Sequence, residues 1–125
     1  MPELELVSPE QEFERLRGGF HERLRKELAR LRVLNEALQS ANVNFALLAG
    51  EIGMFAHRLC GAALVFEFAA IGAAAKAVEA AADLASLAKN GMAGEALIVS
   101  TMRVLAAKLS EEIGSSAIAA PAEIK

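Results

Sequence analysis

Residues Val43 to Phe66 read VNFALLAGEIGMFAHRLCGAALVF, and the pattern of this stretch decides the fold. Phe45, Leu48, Ile52, Phe55, Leu59, Ala63 and Phe66 recur at steps of three and four, the spacing that lines one face of an α-helix. Each residue of a helix advances about 100° around its axis, so all seven fall within one wedge. His57 lies roughly 170° from the centre of that wedge. One helix therefore carries a buried stripe and, opposite it, a histidine that faces outward.

Toward the N-terminus, Ser8-Pro9-Glu10-Gln11 is a helix start: serine caps, proline suits the first helical position, and glutamine completes a capping box. Phe13, Leu16, Phe20, Leu24, Leu28, Leu31 and Leu38 continue at helical steps, and Gly18-Gly19 predicts a division into a short first helix and a longer second one. Gln39 to Asn42 reads as a turn. Beyond the central stretch, a helix is expected from near Phe68 to Asn90-Gly91, with Gly91 in the left-handed position past its end. Its polar stripe is Lys76, Glu79, Asp83 and Ser86, and its other faces are alanine, isoleucine and valine. Ile98, Met102, Leu105 and Leu109 mark a last helix, with Gly114 as its stop and a flexible C-terminal tail over 115–125. Short connections between long helices favour antiparallel neighbours. The expectation is one all-α domain over residues 1–114, an up-down antiparallel four-helix bundle with an additional short N-terminal helix.

The totals narrow the function classes. Thirteen basic and sixteen acidic residues give a net charge of −3 in a chain of 125 residues, which does not indicate a nucleic-acid binder. The one cysteine, Cys60, excludes an internal disulfide and a cysteine-rich zinc site. Met1 to Val7 has no basic leader segment. Gly61 to Ala75 is the most apolar run, yet it contains Glu67 and is followed by Lys76, Glu79 and Asp83, which argues against a membrane span. A cytoplasmic chain with no membrane association is expected.

The outer face of the central helix is unusual for a solvated surface. Gly53 and Gly61 lie one turn before and after His57, Gly50 two turns back, and Met54 and Leu64 flank the same patch. Glycine inside a helix costs roughly 1 kcal/mol relative to alanine, so three on one face imply close approach of another backbone. With only His21 and His57 and no carboxylate one turn away on the same helix, a metal site is poorly supported. Cys60 near His57 lacks an evident third group for nucleophilic catalysis. No glycine-rich phosphate loop follows a strand. What remains is an imidazole, the side chain that is neutral and nucleophilic near neutral pH, presented to something a partner brings. The cations of the first helix, Arg15, Arg17, Arg23, Arg25, Lys26, Arg30 and Arg32, read as a solvated face paired along the helix, with steering of an acidic partner as the functional counterpart. His21 among them reads as a bystander, and Cys60 as a packing residue rather than a redox switch.

Ala56-His57-Arg58-Leu59-Cys60-Gly61-Ala62-Ala63, followed by Phe66-Glu67-Phe68 and by Ala75 through Val78-Glu79, resembles a histidine phosphotransfer (HPt) domain of two-component phosphorelays. The resemblance covers about a fifth of the chain. It implies that His57 accepts a phosphoryl group from the phosphoaspartate of one receiver domain and passes it to another, with Arg58, Gly61, Gly53, Met54, Cys60 and Leu64 supporting or docking. It further implies no ATP site and no cofactor on this chain, since the receiver supplies acidic residues, Mg²⁺ and a lysine. Response-regulator receiver domains and a hybrid histidine kinase would be the partners, and the chain would be a monomer. An adaptor that docks such partners without carrying phosphate is the alternative. Two positions depart from the family pattern. Cys60 stands where lysine is common, leaving Arg58 or, more remotely, Lys76 to offset phosphate charge. Glu67 stands where the turn often has glycine, an acid that would repel phosphate if it lay near the phosphorylation face.

Overall fold

The computed structural model describes residues 8–40, 42–87 and 91–124, apart from the side chains of 91–93 and 116–124. Four α-helices follow one another: α1 (Pro9–Leu38), α2 (Phe45–Val65), α3 (Ala69–Leu87) and α4 (Gly91–Ile124). There is no strand among the described residues. Each helix packs on its neighbour in sequence, and α4 closes the ring against α1. The chain is thus a four-helix bundle.

Helix starts follow the local chemistry. The Ser8 hydroxyl accepts from the Gln11 backbone N–H at 3.0 Å, and the Gln11 side chain accepts from the Ser8 N–H at 3.1 Å, the reciprocal capping box read from the sequence. Asn44 caps α2 through its side chain, which accepts from Leu47 N–H at 3.2 Å. The short N-terminal helix expected before Gly18-Gly19 is not a separate element. Both glycines remain inside α1, because a stripe that continues through Phe20, Leu24, Leu28 and Leu31, all buried, outweighs their propensity cost of roughly 1 kcal/mol each. Gly114 likewise does not stop α4, which runs on to Ile124; no glycine with positive φ is found among the described residues. The expected end of α3 at Asn90 lies outside the described residues, and Gly91 opens α4 rather than closing α3.

The core has two textures. α1 and α4 contribute large side chains, among them Phe20, Leu24, Leu31, Ile98, Met102, Leu105 and Leu109, all nearly inaccessible. Between α2 and α3 the buried residues are mostly small: Ala49, Ala56 and Ala63 on one helix, Gly72, Ala74, Ala75, Ala81 and Ala82 on the other. Small residues let the two backbones approach closely. Gly72 and Gly94 show how closely, since a Cβ at Gly72 would sit 2.7 Å from Leu64 Cδ2, and one at Gly94 would sit 2.9 Å from the Ala85 methyl and 3.1 Å from Ala85 Cα.

The apolar run Gly61–Ala75 is divided between two helices by a turn at Phe66–Phe68. Phe68 N–H donates to Ala63 C=O at 2.8 Å and Glu67 N–H to Leu64 C=O at 3.2 Å, the paired bonds of a Schellman helix end. That motif requires a left-handed residue, and Glu67 supplies it with φ 67°. α1 clamps the turn. Arg17 Nε donates to the Phe66 carbonyl at 2.8 Å, its guanidinium lies 4.1 Å from the Phe68 ring centre, and Phe20 stacks on Phe66 at 5.4 Å. By length and composition α2 is apolar enough to cross a membrane, but Leu48, Ile52, Phe55 and Leu59 are spent on the bundle core.

Two substitutions test this packing by chemical denaturation. Gly94→Ala is expected to destabilise by about 1–3 kcal/mol, because the facing atoms are the Ala85 methyl and Cα, which cannot swing away. Glu67→Gly is expected to stabilise by about 1 kcal/mol, by removing the left-handed strain of a residue with a Cβ.

Candidate functional site

The site lies where α2 and α3 run alongside each other. Leu64 packs over Gly72, and these two residues are equally far from Phe68 along the chain. The same antiparallel register places His57 opposite Glu79 and Gly53 opposite Ala82. His57 Nδ1 is 2.9 Å from Glu79 Oε2. The histidine side chain is 74% exposed and the glutamate 28%, so the ring stands in solvent with its base tethered from the neighbouring helix.

This contact fixes the chemistry of the ring. An ionised carboxylate only accepts hydrogen bonds, so the bond to Glu79 requires a proton on Nδ1. In the neutral imidazole the lone pair is then on Nε2, the nitrogen that Glu79 does not engage. Which nitrogen is available to a reagent is set by the bond that the other makes. An exposed pair of this kind contributes about 0–1 kcal/mol to stability, too little for the fold to depend on it. Its consequence is orientation and tautomer.

Around the ring is a groove of about 390 Å³, lined by Gly50, Gly53, Met54 and Arg58 from α2 and by Glu79, Asp83 and Ser86 from α3. The glycines divide by role. A Cβ at Gly53 would sit 3.4 Å from the Ala82 methyl, so this residue lets α3 approach rather than an outside partner. Gly50 and Gly61 have nothing within 4 Å of where a Cβ would be. Nothing inside the chain requires a glycine at either. Both lie in the interior of α2, where each costs roughly 1 kcal/mol relative to alanine. Met54, 62% exposed, lines this groove, and Leu64, 56% exposed, lies two turns beyond His57 on the same helix.

Other residues named from the sequence are placed differently. Cys60 is buried in the core at 9% exposure and cannot meet a ligand at His57, so it drops out of the supporting set. Arg58 is exposed and lines the His57 groove. Glu67 sits in the turn, outside that groove, ten residues beyond His57, or about 15 Å along a helix axis. It therefore does not crowd the ring with negative charge. His21 Nε2 is 3.5 Å from Glu112, a contact between α1 and α4 and away from the site. Among the described residues there is no group of three or more side chains suited to a metal ion.

Glu79 is the partner of the His57 ring that the sequence reading did not assign: it stood on the polar stripe of its helix and in the HPt-like run, with no contact to His57 expected. The signal was present in the turn: once the chain reverses at Phe66–Phe68, pairing residues symmetrically about Phe68 brings position 79 to position 57. Comparison with protein-family models, with curated proteins and with solved structures returned no match.

The tautomer is open to direct measurement. Long-range ¹H–¹⁵N spectra at a pH where the ring is neutral should show His57 predominantly protonated on Nδ1. Glu79→Ala should shift it toward the Nε2-protonated form. An Nε2-protonated ring in the unsubstituted protein would contradict the bond described.

Proposed function

We propose that this chain is a histidine phosphotransfer protein, a phosphocarrier in which His57 Nε2 accepts a phosphoryl group from an aspartyl phosphate on a receiver domain and returns it to another. The observation that carries the reading is the exposed ring tied through Nδ1 to Glu79. Together with the HPt-like run Ala56–Ala63, it describes a nucleophile held rigidly on a helix and open on one side.

The Nε2 lone pair attacks phosphorus in line, the N–P bond forms as the P–O bond breaks, and the aspartate leaves as a carboxylate. With Nδ1 still protonated, the phosphorylated ring carries positive charge, and the adjacent Glu79 carboxylate offsets it. Such transfers depend on positioning and charge neutralisation more than on covalent chemistry from the carrier. The chain needs no ATP site of its own in this reading; the partner brings its acidic residues and Mg²⁺. Arg58 provides a cation at the groove. Lys76 shares a face with Glu79 on α3, one turn before it, and is exposed, so its ammonium stands in for the lysine that Cys60 replaces. Gly50 and Gly61 give a partner's backbone access on either side, and Met54 and Leu64 supply apolar contact. Such a carrier works in the cytoplasm and as a monomer.

The second reading, an adaptor that docks receivers without carrying phosphate, draws on the burial of Cys60 at the lysine position and on Asp83 beside Glu79 in the groove. One set of assays separates the two. Labelled phospho-receiver domains, presented as a panel, are expected to transfer acid-labile, alkali-stable label to the protein and none to His57→Gln. Glu79→Ala should slow transfer roughly tenfold or more, the size of effect that loss of an orienting partner has for metal-ligating histidines. Gly61→Leu should weaken docking while the fold persists, since the space there is open. Receivers that bind without transferring label would establish the adaptor, and neither binding nor transfer would overturn both.

A further inference from the structure

The groove between α1 and α2 is cationic in a chain whose acidic residues outnumber its basic ones, sixteen to thirteen. It holds about 260 Å³ and is rimmed by Arg23, Lys26 and Arg30 from α1 and Arg58 from α2, with Glu27 as its one carboxylate among the described residues. Glu27 lies 3.4 Å from Arg23 and so offsets only one of the four cations. Lys26, Arg30 and Arg58 belong to no ion pair among the described residues. Arg23, Lys26 and Arg30 follow at i, i+3 and i+7 and therefore share a face. Like charges at such spacing repel, and among the described residues the Glu27–Arg23 pair is the one ion pair that offsets them here. Arg58 lines this groove and also the His57 groove, so the two recesses are continuous around one side chain.

We propose that the α1–α2 groove receives an acidic segment of the same receiver that docks on His57, an inference that rests on the carrier or adaptor reading above. Charge complementarity selects a carboxylate-bearing protein surface over the other polyanions. Single-stranded nucleic acid is held by exposed aromatic rings that stack on bases, whereas Phe20 and Phe55 beneath this groove are 2% and 4% exposed. A flat anionic membrane meets protruding cations, whereas these surround a recess. The placement gives the receiver two points of contact, an apolar one with glycine access at His57 and an electrostatic one on α1. Charges outside the reacting centre act chiefly on encounter and register.

The test is the double variant Lys26→Glu/Arg30→Glu, both side chains being exposed, with circular dichroism melting to establish that the bundle is intact. The probe is the receiver domain from the panel that binds the unsubstituted protein most tightly. Its Kd, measured from low to high salt, is expected to rise roughly ten- to a hundredfold with a flattened salt dependence. Where label is transferred, KM should rise with kcat unchanged. The charge-keeping variant Lys26→Arg/Arg30→Lys should bind as the unsubstituted protein does. An unchanged Kd and salt slope in the double variant would overturn the proposal. So would a loss of binding to a phosphatidylserine vesicle or a short RNA with receiver affinity untouched. A receiver that binds but never labels His57 overturns the carrier reading alone, and the groove is still judged by these affinities. If no receiver binds, both fall.

Discussion

Glu67, held at φ 67°, turns the chain so that α3 returns along α2, and the rest of the molecule depends on that antiparallel pairing. Two backbone bonds close the turn, from Phe68 to Ala63 and from Glu67 to Leu64, while Arg17 and Phe20 press on it from α1. The alanine and glycine seam that follows allows one close register, because larger side chains would force the helices apart. A shift of one residue would rotate every α3 side chain by about 100°, taking Glu79 off the ring and setting a methyl group where Gly72 now admits Leu64.

From this register follows the division of labour on α2. Its inner stripe of Leu48, Ile52, Phe55 and Leu59 is buried, which makes the helix a rigid mount. Its outer face keeps a histidine that contributes almost nothing to stability, and glycines at 50 and 61 that the chain itself does not need. The proposed docking face accounts for interior helix positions that cost free energy without a packing return. The phosphocarrier reading uses all three features at once: a rigid mount, a ring with one nitrogen committed, and open ground on either side.

Much of the fold was legible because it rests on periodicity. The stripes through Phe20–Leu38, Phe45–Ala63 and Ile98–Leu109 each identify a helix, and the capping box at Ser8–Gln11 fixes one start. The errors lie where local propensity competes with tertiary burial. Gly18-Gly19 and Gly114 read as interruptions, yet a continuous buried stripe carries α1 through the first, and α4 extends past the second. The site was half legible. His57 and its outward direction follow from counting around the helix, but the partner on Nδ1 comes from another helix, and only a register across the turn identifies it. Cys60 carried two readings, supporting residue and packing residue, and its burial favours the second. It is near His57 in sequence and in the motif, but it lies on the side of α2 that the core covers.

In the proposed transfer one nitrogen of His57, Nε2, does the work, and nuclear magnetic resonance on the phosphorylated protein tests this most directly. With ¹⁵N-labelled histidine, after phosphorylation by a phospho-receiver domain or by phosphoramidate, ³¹P–¹⁵N coupling should appear at Nε2 of His57, with Nδ1 still protonated. Phosphorus on Nδ1, or on a residue other than His57, would contradict the geometry from which the function has been inferred.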